Sequence, residues 1–299
     1  MPAHLPMGRR LVVAAGVTGL VCAGQVAGGL ITGSLALLSD AAHVFLDALA
    51  LALSYLALRA ASRPPTPRHT YGLHRLQVLV ALVNGATLAA VAAGIFREAV
   101  ERVRDPVPVW AGPMLAVAGG GLVVNLAVAW LLHRHDREDL NVHSAFLHVV
   151  GDALGSVGVI AAGIVILLTG WTLADPLVSL AIGSVILVGA VRVLARTAHI
   201  LIEGAPRGVS TEEVQQRLAG MPGVQGVHDL HVWTVAPGYV ALSAHVVVPD
   251  QALSQAEALI RKLRRLLREE FGIGHATIQV ECVGCPEVAC SGPGCLGPS

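Results

Sequence analysis

Two similar stretches, SDAAHVFLDAL at residues 39–49 and SAFLHVVGDAL at residues 144–154, place acidic and imidazole side chains within long apolar sequence. The apolar sequence around each stretch reaches the roughly 20 residues that a helix needs to cross a hydrocarbon core. A carboxylate inside a bilayer costs on the order of 3 kcal/mol on insertion scales, so it needs a compensating partner. The two stretches therefore predict membrane-spanning helices whose polar side chains have a function.

The composition of the whole chain also indicates a membrane protein. Of the 299 residues, 54% are hydrophobic and 13% are charged, whereas soluble domains carry about 25% charged residues. Six segments are long and apolar enough to cross a bilayer, and we predict helices at residues 11–31, 35–58, 77–96, 112–132, 142–168 and 176–200. We interpret the first segment as a retained span, because it is longer than the hydrophobic region of a typical signal peptide.

An even number of spans places both termini on the same side of the membrane. Arginines are concentrated on that side, and the positive-inside rule identifies it as the cytoplasm. They are Arg9, Arg10, Arg59, Arg63, Arg68, Arg75, Arg134 and Arg137. The formal net charge is zero, so no basic surface predicts a nucleic-acid partner. We therefore expect a multi-pass protein of a plasma or inner membrane, with cytoplasmic termini.

The sequence pattern changes after Glu203. Ser210 followed by Glu213 is typical of a helix start, and two β-branched runs at residues 224–235 and 239–248 predict strands. A helix at about residues 252–271 and a strand at about residues 276–281 follow. This order predicts a small αββαβ domain of the α+β class, similar to ferredoxin-like metallochaperones. We expect a transmembrane domain at residues 1–203, this domain at 204–281 and a cysteine-rich tail at 282–299.

The spacing within the two polar stretches is typical of metal ligands. His43 and Asp47 are four residues apart, as are His148 and Asp152, and residues at this spacing project from one face of a helix. The two pairs lie at nearly the same depth in spans that run in opposite directions, as in the inverted repeats of transporters. Two nitrogen and two oxygen ligands suit tetrahedral zinc, whereas magnesium and calcium prefer six or more oxygens. The alternative is that these side chains only hydrogen-bond between helices, but the matched depth favours a metal.

Several motifs now resemble those of the cation diffusion facilitator family of zinc and cation-efflux proteins, over about residues 11–281. They are SLALLSDAAHVFLDALAL (34–51), TYGLHRLQVLVALVNG (70–85), LNVHSAFLHVVGDALGSVGVI (140–160), DPLVSL (175–180), EGAPRGV (203–209) and VHDLHVWTV (227–235). The resemblance implies a homodimer, a transport site between the second and fifth helices, exchange of metal for protons, and cytoplasmic domains that bind additional metal. His43 favours zinc, because members with aspartate there more often also take cadmium or other ions. Cadmium, cobalt, iron and manganese are the alternatives.

The soluble domain carries a second group of possible ligands. By the resemblance, His228 and His245 match positions used in regulatory zinc binding. Gln279 stands where some relatives have a further histidine, so Glu281 or a cysteine would have to complete the site. The alternation of the second strand independently leaves His245 facing away from the core. Ordinary surface histidines are the alternative.

The C-terminal tail and one loop offer further ligands. Cys282, Cys285, Cys290 and Cys295 follow the pattern C-x2-C-x4-C-x4-C. In a reducing cytoplasm this pattern suggests thiolate metal ligands, and C-x2-C is a common zinc half-site. His69 and His74, in the loop before the third span, could collect ions, although solvated loop histidines are the favoured interpretation.

These features predict proton-coupled export of a divalent metal, with zinc as substrate and also as a structural or regulatory ion. An imidazole with an unperturbed pKa of about 6.5 suits such an exchange, since metal binding must release its proton. A membrane-bound zinc sensor is an alternative from another class, but a sensor has no need of a site inside the bilayer. We do not expect an enzyme, because the sequence has no H-E-x-x-H motif, P-loop or dinucleotide fingerprint.

Overall fold

The computed structural model describes the backbone of residues 7–133 and 140–282, and side chains within residues 19–127 and 151–282. Six long helices come first: α1 (Met7–Thr32), α2 (Leu35–Ala61), α3 (Arg75–Arg104), α4 (Ala111–His133), α5 (Leu140–Thr169) and α6 (Ala174–Leu201). The soluble elements follow in the order α7 (Thr211–Ala219), β1 (Gly226–Ala236), β2 (Tyr239–Val248), α8 (Leu253–Phe271) and β3 (His275–Cys282). The number and order of these elements agree with the sequence prediction.

Four helices are long and apolar enough to cross a membrane within the residues whose side chains are described. Their candidate spans are Leu35–Ala61, Arg75–Arg104, Gly151–Thr169 and Ala174–Leu201. The helices α1 and α4 contribute shorter apolar stretches in the same part of the chain, Gly19–Thr32 and Ala111–Ala127.

The helix α3 continues two turns beyond the predicted apolar segment, which ended at residue 96. Residues 97–104 are rich in charge, so apolar length alone does not detect this extension. Opposite charges in it lie four residues apart: Arg97 Nε is 3.8 Å from Glu101 Oε1, and Arg102 Nε donates to Glu98 Oε1 at 2.9 Å. Such pairs stabilise a helix where it leaves an apolar environment.

Contacts divide the chain into two compact units. The first is built from Met1–Leu56 and Val80–Leu194, and the second from Ala57–Leu79 and Ala195–Ser299. One end of α2, of α3 and of α6, together with the loop between α2 and α3, therefore belongs to the unit that contains the sheet. The domain boundaries proposed from the sequence stay a prediction.

In the first unit α2 packs on two sides. Its beginning, at Ala36 and Leu37, is buried against α4 and α5 in a cluster that also holds Met114 and Val159. Further along, Leu46 is buried with side chains of α3 and α6, namely Leu88, Ala92, Ile95, Ile186 and Ala190. The helix that carries His43 and Asp47 thus lies between two groups of helices.

The second unit contains a three-stranded sheet in the order β1-β2-β3. The strands β1 and β2 form an antiparallel hairpin, and β3 pairs parallel to β2 after the crossover through α8. The helix α8 buries one face on the sheet, at Ala256, Leu259, Leu263 and Leu267. It ends at Gly272, whose φ of 66° is in the left-handed region that glycine adopts without steric cost. The predicted start of α7 is confirmed, since Ser210 Oγ accepts a hydrogen bond from Glu213 N at 3.1 Å.

Candidate metal sites

The first pair of predicted intramembrane ligands shares one helix face. His43 Nε2 lies 3.6 Å from Asp47 Oδ2, because four residues correspond to about one helical turn. Both side chains are partly buried, with 27% and 21% exposure. A nitrogen and an oxygen at this separation can bind one ion from the same side.

The second pair lies on α5. Asp152 is buried, at 5% exposure. The backbone of His148 lies within α5, but its side chain lies outside the described residues. The convergence of His43 and Asp47 with His148 and Asp152 on one ion therefore stays a prediction.

A third acidic residue, Asp40, lies beside Asp152 and was given no role by sequence reasoning. It is 2% exposed and interacts electrostatically with Asp152. Gln25 Nε2 of α1 donates to Asp40 Oδ2 at 2.6 Å, and Ser156 Oγ of α5 donates to the same oxygen at 3.4 Å. The network connects α1, α2 and α5 next to a predicted ligand. The sequence signal for it was a polar residue in each of three apolar helices.

A separate buried carboxylate, Asp175 at the start of α6, holds the beginning of α2. Its side chain is fully buried, and it accepts hydrogen bonds from Ser34 Oγ at 2.5 Å and from Leu35 N at 2.7 Å. Arg102 Nη1 lies 3.8 Å from Asp175 Oδ2 and also donates to the carbonyl of Gly33. These contacts satisfy backbone N–H groups that a helix start leaves without a partner within the helix.

In the sheet, three predicted ligands come together. His228 Nε2 is 2.9 Å from Glu281 Oε2, and His245 Nδ1 is 2.8 Å from Glu281 Oε1. One ligand atom from each of the three residues lies within 4.8 Å of the other two. The strand register explains this. His228 on β1 pairs with His245 on β2, and Glu281 on β3 pairs with Val247, which is two residues after His245 and faces the same side of β2. Two imidazoles and a carboxylate are ligands that zinc accepts.

The charge of Glu281 suits a cation. Partial burial raises its pKa, but hydrogen bonds from His228 and Gln279, together with the electrostatic interaction with His245, outweigh burial and hold the pKa below its usual value. Gln279 Nε2 donates to Glu281 Oε1 at 2.9 Å. It thus orients a possible ligand.

Among the residues that the structure describes, the other predicted ligands Cys282, His69 and His74 do not form a group of three possible ligands. Cys282 ends β3 and is disulfide-bonded, so it does not offer the thiolate that the tail pattern predicts, whereas Cys285 lies outside the described residues. His69 lies in a turn with Thr66. The ring of His74 packs edge-on against the ring of Tyr239, with 5.1 Å between the ring centroids. Among the described residues, neither loop histidine belongs to a cluster of three possible ligands.

Known proteins resemble this chain along most of its length. It is 43% identical to the zinc transporter ZitB of Pectobacterium atrosepticum, over 95% of this chain and 88% of that protein. It is 42% identical to the zinc transporter ZitB of Escherichia coli K12, over 98% of this chain and 92% of that protein. It is 40% identical to the cadmium, cobalt and zinc/H(+)-K(+) antiporter of Bacillus subtilis, over 86% of this chain and 83% of that protein. The metal-bound C-terminal domain of the CzcD transporter is 37% identical, covering 24% of this chain and 99% of that domain, with a TM-score of 0.23.

Family profiles match both parts of the chain. The cation efflux transmembrane domain matches residues 11–202, and the cytoplasmic domain of cation efflux proteins matches residues 206–283. The predicted fold class, a multi-pass helical membrane domain followed by a small cytoplasmic α+β domain, is confirmed. Members of this family are transporters and not enzymes. On these matches and on the relatives above, the chain belongs to the cation efflux family of multi-pass membrane proteins.

Proposed function

We propose that this protein exports zinc from the cytoplasm in exchange for protons, through a site formed by His43, Asp47, His148 and Asp152. The observation that carries the proposal is the 3.6 Å separation of His43 Nε2 and Asp47 Oδ2 on one face of α2. The burial of Asp152 on α5 supports it, because a carboxylate in an apolar helix needs a partner. Two nitrogens and two oxygens are a ligand set that zinc accepts in tetrahedral geometry.

Proton coupling follows from the chemistry of these ligands. A metal binds the deprotonated forms of imidazole and carboxylate, so metal binding releases protons and proton binding displaces metal. One relative is named as a zinc/H(+)-K(+) antiporter, which agrees with such an exchange. Cadmium and cobalt, also in that name, are alternative substrates, as are iron and manganese. The zinc transporters among the relatives favour zinc.

The soluble domain supplies two further parts of the proposal. His228, His245 and Glu281 bind a resident zinc ion. The chain acts as a homodimer with cytoplasmic termini. The profile that matches residues 206–283 supports this proposal, because it is named for dimerisation and describes a cytoplasmic domain. This resident ion is separate from the transported one.

Zinc flux in proteoliposomes tests the transport site. With an imposed pH gradient, the wild-type protein should move zinc and protons in opposite directions, and Asp152→Ala should reduce this flux to background. The matched control is Asp105→Ala, which removes an exposed carboxylate at the end of α3. Proton-coupled flux at the wild-type rate in Asp152→Ala would contradict the site. Zinc flux that ignores the pH gradient in the wild type would contradict the coupling.

A further inference from the structure

The backbone of β1 departs from a regular strand at Asp229. This residue has a φ of 50°, in the left-handed region that non-glycine residues seldom adopt. The pairing of β1 with β2 shifts at the same place, between His228 and His231. Such bulges often lie beside functional sites, where they redirect a side chain. In an unbroken strand Asp229 and His228 would point to opposite faces of the sheet.

The bulge turns the Asp229 carboxylate towards the histidines. Asp229 Oδ2 lies 3.6 Å from His245 Nε2, and Oδ1 lies 3.0 Å from His231 Nε2. The other ring nitrogen of His245, Nδ1, faces Glu281 at 2.8 Å. His245 is therefore bracketed by two carboxylates, one at each nitrogen.

In a metal-bound imidazole the two ring nitrogens have different roles, since one binds the metal and the other carries the proton. A nitrogen that binds metal uses its lone pair, so the ring proton lies on the other nitrogen, and a carboxylate there fixes both the tautomer and the orientation of the ring. In the cluster of His228, His245 and Glu281, the His245 nitrogen that faces Glu281 is Nδ1. The proton then lies on Nε2, towards Asp229. Because the two ring nitrogens point in diverging directions, the Asp229 oxygen near Nε2 lies on the side of the ring away from an ion bound at Nδ1.

We propose that Asp229 is a positioning residue of the cytoplasmic metal site, holding His245 with Nδ1 directed at the ion. The inference rests on the proposed cytoplasmic site and extends it by a residue that sequence reasoning did not select. Asp229 acts through His245 and raises the basicity of its metal-binding nitrogen. The unusual backbone of β1 is what brings the carboxylate to this position.

Zinc affinity of the full-length protein in detergent tests the inference. Asp152→Ala is introduced into every variant, so that the transport site does not contribute, and affinity is measured by competition with a chromogenic chelator. Asp229→Asn should weaken binding by about 10- to 100-fold without changing its stoichiometry. Asparagine matches aspartate in size and tolerates a left-handed backbone, so the bulge is retained. Asp250→Asn, at an exposed position after β2, is the matched control.

Further variants distinguish the effect of the Asp229 carboxylate from that of the backbone. They also distinguish the role of Asp229 from the existence of the cytoplasmic metal site. Asp229→Gly accepts the same φ but lacks the carboxylate, so it should lose affinity as Asp229→Asn does, while both retain the wild-type thermal unfolding midpoint. Affinity within twofold of wild type in Asp229→Asn, combined with a loss in Glu281→Gln, would overturn the role of Asp229 and leave the site standing. Unchanged affinity in Glu281→Gln would overturn the cytoplasmic site itself.

Discussion

At the scale of single residues, the membrane domain contains buried polar side chains that hydrogen-bond to one another. Asp40 is the clearest case, since its carboxylate is buried among three helices and accepts hydrogen bonds from Gln25 and Ser156. A glycine makes room for it: a Cβ at position 155 would lie 2.5 Å from Asp40 Oδ1. Gly155 on α5 and Asp40 on α2 therefore pack closely against each other next to Asp152.

We predict that Gly155→Ala displaces Asp40 and lowers both stability and zinc flux. Overpacking of a buried site typically costs about 1 to 3 kcal/mol. The thermal unfolding midpoint in detergent and the initial zinc flux in proteoliposomes measure the two effects. The control is Gly158→Ala on the same helix, where a Cβ meets Val178 Cγ1 at an ordinary 3.4 Å. Equal behaviour of the two variants would show that Asp40 has room to move.

At the scale of elements, the start of α2 is held by a residue that lies about 140 positions later in the chain. Asp175 accepts hydrogen bonds from Ser34 Oγ and Leu35 N, so α6 supplies a side-chain cap for α2. Arg102 brings the end of α3 to the same place. His43 and Asp47 follow on α2, so the position of these proposed ligands depends on this connection.

We predict that Asp175→Ala frees the first turn of α2. Loss of a helix cap costs about 1 to 2 kcal/mol, and each 1.4 kcal/mol corresponds to roughly a tenfold change in an equilibrium. Hydrogen exchange at the Leu35 and Ala36 amides should therefore accelerate by about tenfold, as read by mass spectrometry of the protein in nanodiscs. Ser184→Ala on the same helix removes only an exposed side-chain contact to Leu180 O and should leave this exchange unchanged. Unaltered exchange in Asp175→Ala would mean that other contacts hold α2.

At the scale of the whole molecule, the six helices determine which loops face which side of the membrane. Three apolar helices, α4, α5 and α6, lie in the chain between the turn after α3 and the soluble elements, which include the loop after β2. We expect these three crossings to place the turn and the loop on opposite sides of the membrane. The cytoplasmic location of the soluble domain is then consistent with an outward-facing turn at Asp105.

We predict that cysteines at positions 105 and 250 react from opposite sides. In a background with all five native cysteines replaced by serine, Asp105→Cys should react with an impermeant maleimide in right-side-out vesicles, and Asp250→Cys only in inverted ones. Both positions are exposed, so accessibility within the fold does not limit the reaction. Ser156→Cys, at a fully buried position, serves as the unreactive control. Labelling of both exposed positions from one side would contradict six crossings.

The sequence by itself determined the features that depend on local periodicity. Apolar length predicted the six helices, the spacing of His43 and Asp47 predicted a shared face, and strand alternation predicted the order of the soluble elements. These inferences needed only neighbours within one or two turns or strands. The charged end of α3 was missed because its stabilising pairs are polar, and a search for apolar length does not detect them.

Only the tertiary structure decided the contacts between residues far apart in the chain. The hydrogen bonds from Gln25 to Asp40 and from Ser34 to Asp175 form because packed helices bring these side chains together, which no local pattern encodes. Asp229 turns towards His245 because β1 is bulged there, whereas strand alternation predicts the opposite face. Local periodicity indicates which side of a regular element a residue occupies, but bulges and partners across elements depend on packing and on backbone angles that arise only in the folded chain.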